Sequence, residues 1–332
     1  MTALNPHSQD AGSREDREGE APLQRILDEA KAPPRKRSKL AAYISLTKPR
    51  VIELLLVTTA PVMFLAQGGM PDIWLMIATL IGGAMAAASA SVMNCYIDRD
   101  IDAKMERTQN RPLVTGEITP MQALAFGLAL GVGSIFWLGG FTNWVAAGLT
   151  AVAILIYVVG YTIILKRYTA QNIVWGGSAG CMPVLIGWSA VTGSLSWEPV
   201  LLFLVVFFWT PPHYWPLAIK YQADYEAAKV PMLPAVAPPV SVGRQIIGYS
   251  WAMVLSSLAL IPLAPMGPIY TVASVLAGAW FLKLCYDLTR RAKRGLAGTQ
   301  LKAMKVFHAS ITYLTVLFIA VAVDPFFNPF TG

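Results

Sequence analysis

The chain has 332 residues, 55% of them hydrophobic and only 14% charged, where a soluble globular domain carries about a quarter charged residues; a water-soluble fold is excluded. The net charge of +7 would suit nucleic acid, but the bases sit in alternate loops between apolar segments, which is a membrane pattern and argues against a nucleic-acid partner. Cys95, Cys181 and Cys285 lie in or beside apolar stretches without paired spacing, so neither a disulfide framework nor a Cys-rich metal site is indicated.

Residues 1–40 are polar, rich in Ser, Pro, Arg and Glu, and carry Arg35-Lys36-Arg37 near their end, the composition of a disordered basic tail beside a membrane with part of 21–30 helical at most. Glu15, Asp16, Glu18, Glu20, Asp28 and Glu29 argue against a mitochondrial transit peptide, and no apolar core with a cleavage site is present.

From Thr47-Lys48-Pro49-Arg50 onward follow nine apolar segments, near 51–67, 73–97, 120–139, 143–165, 172–191, 198–219, 243–264, 267–288 and 303–323. Each is long enough to cross about 30 Å of hydrocarbon. The expected fold is all-α, a polytopic membrane protein whose nine transmembrane helices in 41–332 surround a central cavity. Lys and Arg occur in the tail, in 98–119, at Lys166-Arg167, in 220–244 and in 290–302, whereas 68–72, 140–142, 192–197, 264–267 and the C-terminus have none. This asymmetry places the tail and the basic loops in the cytoplasm and the C-terminus outside. A miscount by one span would break the alternation.

The second segment ends in Asn94-Cys-Tyr-Ile-Asp98-Arg-Asp100-Ile-Asp102-Ala-Lys104-Met-Glu106-Arg107-Thr108-Gln-Asn-Arg111-Pro112. At helical spacing the oxygens of Asn94, Asp98 and Asp102 stack on one face while Asp100 points elsewhere. Three hard oxygens suit Mg²⁺, which keeps waters and completes its shell with substrate phosphates, and Arg107 and Arg111 follow as donors to such phosphates. The plainer reading is a solvated helix end whose acids cap amides and pair with neighbouring bases. A second polar loop, from Lys220 through Asp224 and Glu226 to Pro234, follows the sixth segment and so lies on the same side. If the two halves face each other, Asp224 meets the Asn94/Asp98/Asp102 face; if not, the loops are separately solvated. His213 lies late in the sixth segment beside Pro211-Pro212, where helix irregularity can aim it into the cavity; the plainer reading is a hydrogen-bonded core histidine. His308 in the ninth segment and His7 in the tail carry less.

Thr47-Lys-Pro-Arg50, Asn94-x-Tyr96-x-Asp98-Arg-Asp-Ile-Asp102-x-x-Met105-x-Arg107-Thr108-x-x-Arg111-Pro112, Tyr161-Thr162 with Lys166-Arg167, Gly187-Trp188, Thr192-Gly193, Trp209-Thr210-Pro211-Pro212-His213 and Asp224-Tyr225 through Val230-Pro231-Met232-Leu233-Pro234 together resemble the UbiA superfamily of intramembrane prenyltransferases, and the last two stretches its haem-modifying branch. The matches run from about residue 47 to 234. The resemblance implies that Asn94, Asp98, Asp102 and Asp224 bind Mg²⁺, with Asp98, Asp102 and Asp224 central to catalysis, and that Arg107, Arg111, Lys166 and Arg167 bind diphosphate. It further implies farnesyl diphosphate and haem B (protohaem IX) as substrates, with His213 a contact to the haem iron or a propionate, haem O as product, a bacterial inner (plasma) membrane as location, and haem A synthase or oxidase assembly proteins as neighbours. The wider superfamily often has Asp-x-x-x-Asp in its second motif, whereas Ala228 stands four places after Asp224 here, which leaves Glu226 without an assigned role. Two other readings stay open: prenylation of an aromatic ring, which composition cannot separate from haem, and a transporter, against which the acids cluster at span ends on one side.

Overall fold

The structure, a computed structural model, describes residues 37–264 and 266–327, with the backbone alone for 50–56. The expectations for the tail, including His7 and Arg35-Lys36, and for the C-terminal Gly332 lie outside the described residues.

Helix α1 (Lys39–Thr47) is short and two-faced: Ala42 and Leu46 are buried while Leu40 and Ile44 are exposed. Then come α2 (Pro49–Gln67), α3 (Ile73–Ile97), the short α4 (Arg99–Asp102), α5 (Pro120–Phe141) and α6 (Trp144–Leu155), which runs on as a π-helix over Ile156–Leu165. The second half holds α7 (Asn172–Gly176), α8 (Ser178–Thr192), α9 (Trp197–Lys220), the short α10 (Gln222–Ala227) and α11 (Leu233–Val236), then α12 (Pro239–Leu263), α13 (Pro268–Lys293) and α14 (Ala303–Val323). Among the described residues eight helices are long and apolar enough to span a membrane, counting α6 with its π continuation and α7 with α8 as one each; Pro49–Gln67, apolar over Val57–Gln67, is the further long helix. The chain is a multi-pass, all-helical membrane protein.

Local chemistry sets the helix ends. Asp72 Oδ1 accepts from Leu75 N at 2.8 Å, Thr119 and Gln122 form a reciprocal capping box, and Pro opens α2, α5, α12 and α13, where a missing N–H costs nothing. Asn143 caps α6 through Ala146 N at 2.9 Å and donates to Ser189 O at 2.7 Å, tying the start of α6 to the end of α8. Buried Asp324, just past α14, accepts from Gly267 N and from Tyr270 N at 3.0 Å and so caps α13 from a distant part of the chain.

Three features depart from the expected segments. The fifth span is broken at Gly177, where a Cβ would lie 2.7 Å from Thr210 Cγ2 and 2.8 Å from the Ile173 carbonyl, so only glycine permits this approach. Helix α13 continues five residues past 288, to Lys293, because its polar end leaves the hydrocarbon without ceasing to be helical. The end of the fourth span is π-helical, with Lys166 N donating to Tyr161 O at 2.8 Å, a variation that sequence periodicity does not carry.

Neighbour relations close a circuit, α3–α5–α6–α8–α9–α12–α13–α14–α2 and back to α3, with α2 against α8 and α9 against α14 crossing it. Gly187 makes the α2–α8 approach possible: a Cβ there would sit 2.8 Å from the Thr59 carbonyl. The two polar loops meet at one end, where Ile101 and Met105 pack with Tyr225, Val230 and Met232.

Candidate active site

The backbone ladder of α3 continues through its polar end. Asp98 N donates to Asn94 O and Asp102 N to Asp98 O, both at 2.9 Å, so the three side chains do share one face. Asn94, Asp98 and Asp102 are all buried, while the Asp100 side chain is 55% exposed. Three carboxyl or amide groups cannot lie side by side out of water without compensation, and each has a base beside it, two of the three from distant parts of the chain. Lys48 Nζ donates to Asn94 Oδ1 at 2.7 Å, Lys166 Nζ pairs with Asp98 Oδ2, and Arg111 pairs with Asp102 Oδ2. Asn94 Nδ2 donates to Asp98 Oδ2 at 2.6 Å and to Thr162 Oγ1 at 3.2 Å, which fixes its carbonyl oxygen toward Lys48.

Arg167 grips Asp100 in two-pronged fashion, at 2.8 and 2.7 Å, and leans on the Ile97 carbonyl at 3.2 Å. Its Nη2 lies 3.6 Å from Asp98 Oδ1, an oxygen that is buried and accepts no hydrogen bond. The Arg167 guanidinium holds the Asp100 carboxyl below its usual range. Arg167 and Asp100, with Arg99 and Tyr168, line an open cavity of about 480 Å³ on the flank of this cluster; Asp98 and Asp102 do not line it.

The π-helix aims Tyr157, Tyr161 and Thr162 at the same region before Lys166: Tyr157 and Tyr161 lie 5.5 Å apart, and Thr162 Oγ1 donates to Tyr157 O at 2.9 Å. Arg107 comes from the other side of the first loop, its guanidinium 5.2 Å above the Tyr221 ring. Burial alone would pull Arg107 down, but the hydroxyls of Tyr214, Tyr225 and Tyr221 and the Asp224 carboxylate outweigh it and keep the guanidinium firmly charged. Burial, with Tyr214 next to it, pushes the Tyr225 hydroxyl up, so it stays protonated.

The sequence-predicted residues therefore fall into three places. Asn94, Asp98, Asp102, Arg111, Lys166 and Arg167 form one cluster. Asp224 stands opposite Arg107 on the second loop, and among the described residues no three His, Cys, Asp or Glu side chains gather closely enough to hold an ion by themselves. His213 lies in the α9–α14 seam, its Nδ1 2.8 Å from Ser310 Oγ and its ring stacked on Trp209 and Phe307 at 4.1 and 4.7 Å. Sequence reasoning passed over Lys48, whose only signal was its place in Thr47-Lys-Pro-Arg50 at the mouth of the first span. Burial pulls its ammonium below the usual lysine range, with Cys95, Asp102 and Asp98 opposing that and Arg111 adding to it.

The oxygen set fits a hard cation: a buried carboxylate oxygen without a donor, two further side-chain oxygens on the same face, and surrounding bases that suit a polyanion. Residues 55–327 match the model of the UbiA prenyltransferase family. The chain belongs to that family. Among UbiA relatives, the protoheme IX farnesyltransferase of Leifsonia xyli subsp. xyli is 60% identical over 287 residues, covering 86% of this chain and 92% of its own, and that of Streptomyces avermitilis is 57% identical over 289 residues, covering 87% and 95%. In three dimensions the fold is that of digeranylgeranylglyceryl phosphate synthase, with a TM-score of 0.72 at 18% identity over 86% of this chain and 98% of that one. A UbiA homolog from Archaeoglobus fulgidus bound to DMAPP and Mg²⁺ gives a TM-score of 0.60 at 18% identity, covering 85% and 99%.

Proposed function

We propose that this chain is a Mg²⁺-dependent intramembrane farnesyltransferase that joins the farnesyl group of farnesyl diphosphate to a vinyl group of protohaem IX, releasing diphosphate. The observation that carries this reading is the 60% identity with a protoheme IX farnesyltransferase along 92% of that relative, together with the buried acid and base cluster at the loop end of the bundle.

Asn94, Asp98 and Asp102 would hold Mg²⁺, with Asp224 facing the same diphosphate from the second loop. Bound there, the cation supplies Lewis-acid stabilisation of the leaving diphosphate. Lys48, Lys166 and Arg111 now lie on the acids; with those oxygens turned to a cation they are free to donate to phosphate oxygens, joined by Arg107 and Arg167. The farnesyl C–O bond breaks with its electron pair leaving on diphosphate. The vinyl π pair then forms the new carbon–carbon bond, and water adds to the resulting cationic carbon with loss of a proton, giving a hydroxyethylfarnesyl side chain. Tyr157 and Tyr161 offer ring faces to developing positive charge. His213, held by Ser310, is the proposed contact to the haem. The location is the plasma membrane of a bacterium, with the tail and basic loops cytoplasmic and the C-terminus outside; haem A synthase or oxidase assembly proteins would receive the product.

The test is incubation of the purified protein with haem B, farnesyl diphosphate and Mg²⁺, followed by mass analysis of the porphyrin. The expected product gains one farnesyl group and one hydroxyl group. Unmodified haem beside a prenylated aromatic acid offered in parallel would overturn the haem acceptor and leave the prenyl transfer.

A further inference from the structure

Away from the acidic loops, the seam between α13 and α14 ends in a second concentration of charge. From 287 to 305 the chain carries Arg290, Arg291, Lys293, Arg294, Lys302 and Lys305 against the lone acid Asp287. A cavity of about 50 Å³ opens here, its cationic rim made by Arg291 from α13 and by Lys302 and Lys305 at the start of α14, its apolar wall by Leu288, Leu301 and Val306. Asp287 also lines it, but its Oδ1 lies 3.5 Å from Arg290 Nη1. Among the described residues none of the three rim cations is in an ion pair.

Like charges held around one small cavity repel unless an anion sits among them. The backbone keeps them there: Leu296 N donates to Arg291 O at 3.2 Å and Lys305 N to Lys302 O at 3.0 Å. The cavity is too small for a prenyl chain or a porphyrin and has room for a phosphate-sized group. Its level is that of the helix ends, where headgroups lie, and an apolar wall beside cations matches a phosphodiester with its glycerol and acyl chains better than a fully hydrated ion. We propose that this corner binds the phosphate of an anionic phospholipid, phosphatidylglycerol being the probe of that class. Such a lipid would clamp α13 to α14, adjacent members of the circuit, and it involves none of the residues assigned to prenyl transfer.

The full-length protein, delipidated in detergent, would be followed by native mass spectrometry and thermal unfolding with phosphatidylglycerol, phosphatidylcholine or inorganic phosphate. The wild type is expected to retain one phosphatidylglycerol and to gain several degrees in Tm from it, with little gain from phosphatidylcholine or phosphate. The triple variant Arg291→Gln, Lys302→Gln, Lys305→Gln is expected to lose retention at least tenfold and to lose the Tm response. Should the triple variant fail to insert, Lys305→Gln alone, which leaves the other bases in place, is expected to show the same loss in part. Equal retention by wild type and variants, or an equal response to phosphatidylcholine, would overturn the site; an equal response to inorganic phosphate would overturn the lipid as its occupant.

Discussion

Lys48 and Asn94 meet across 46 positions of sequence, Nζ to Oδ1 at 2.7 Å, and the contact places a base on the amide oxygen that the proposed metal needs. Lys48 reaches it with φ at 53°, a left-handed conformation costing a non-glycine residue about 1–2 kcal/mol. Lys48→Met is expected to lower kcat/KM for farnesyl diphosphate by roughly ten- to a hundredfold, the loss of one charge-assisted hydrogen bond of about 1.5–3 kcal/mol. Lys48→Gly, which suits the backbone, should lose transfer equally while unfolding no earlier than Lys48→Met. Normal transfer by both would remove the ammonium from the site.

Asp98 and Asp102 are expected to differ in what their loss does to the fold. Removing Asp98 leaves Lys166, only 12% exposed, without its partner, which costs about 3–5 kcal/mol, so Asp98→Ala should lower Tm as well as abolish transfer. Arg111 is 22% exposed and nearer water, so Asp102→Asn should reduce kcat at least about a hundredfold with a smaller loss of Tm. Asp98→Asn combined with Lys166→Gln should recover Tm and not activity. Chelating Mg²⁺ should mimic the loss of transfer in the wild type while leaving its Tm the least changed of the set.

The bundle was legible because its signals are local. Apolar length and the alternation of basic loops need only neighbouring residues, and the i, i+4 stacking of Asn94, Asp98 and Asp102 follows from helix geometry that the backbone keeps through 102. The distant partners of Asn94 and Asp98 were not legible. Lys48 lies 46 positions from Asn94 and Lys166 lies 68 from Asp98, and nothing periodic links such pairs. The π-helix at 156–165 also escaped notice, since Tyr157, Tyr161 and Lys166 read as ordinary helical positions until the i to i+5 bonding is seen.

Gly187 tests why the Gly-Trp pair stands in the fifth span. Gly187→Ala should destabilise by about 1–3 kcal/mol, because its Cβ would press on the Thr59 carbonyl 2.8 Å away and force α2 from α8. Gly180→Ala, on the same helix with nothing within 4 Å, is the control and should be neutral or stabilising by about 0.4–1 kcal/mol. Unfolding in detergent separates the two; equal shifts would mean the α2–α8 seam yields freely.

Topology reporters give an independent check on the nine spans expected from the sequence, eight of which the described residues show as helices long and apolar enough. Those at Gly69 and Thr192 should read outside, and those at Gly116 and Gly298 inside. A reversed reading at any one of them would break the alternation on which the common location of the two polar loops depends.

Asp224 and Asp98 belong to different polar stretches, and the Asp224 carboxylate acts on the Arg107 guanidinium of the first. If both loops hold one Mg²⁺-diphosphate unit, Asp224→Ala should cost about as much activity as Asp98→Asn, and combining them should add little, since groups that act as a unit are strongly non-additive. Independent loops predict multiplied losses. Arg107→Gln adds a further comparison: acting between the loops, it should raise KM for farnesyl diphosphate and be non-additive with Asp224→Ala as well. The assays belong at several Mg²⁺ concentrations, because a weakened metal site is partly rescued by more metal, whereas a displaced arginine is not. Normal turnover and normal Mg²⁺ dependence in Asp224→Ala would leave Asn94, Asp98 and Asp102 to hold the cation alone, with the second loop acting only through the packing of Tyr225, Val230 and Met232 against Ile101 and Met105.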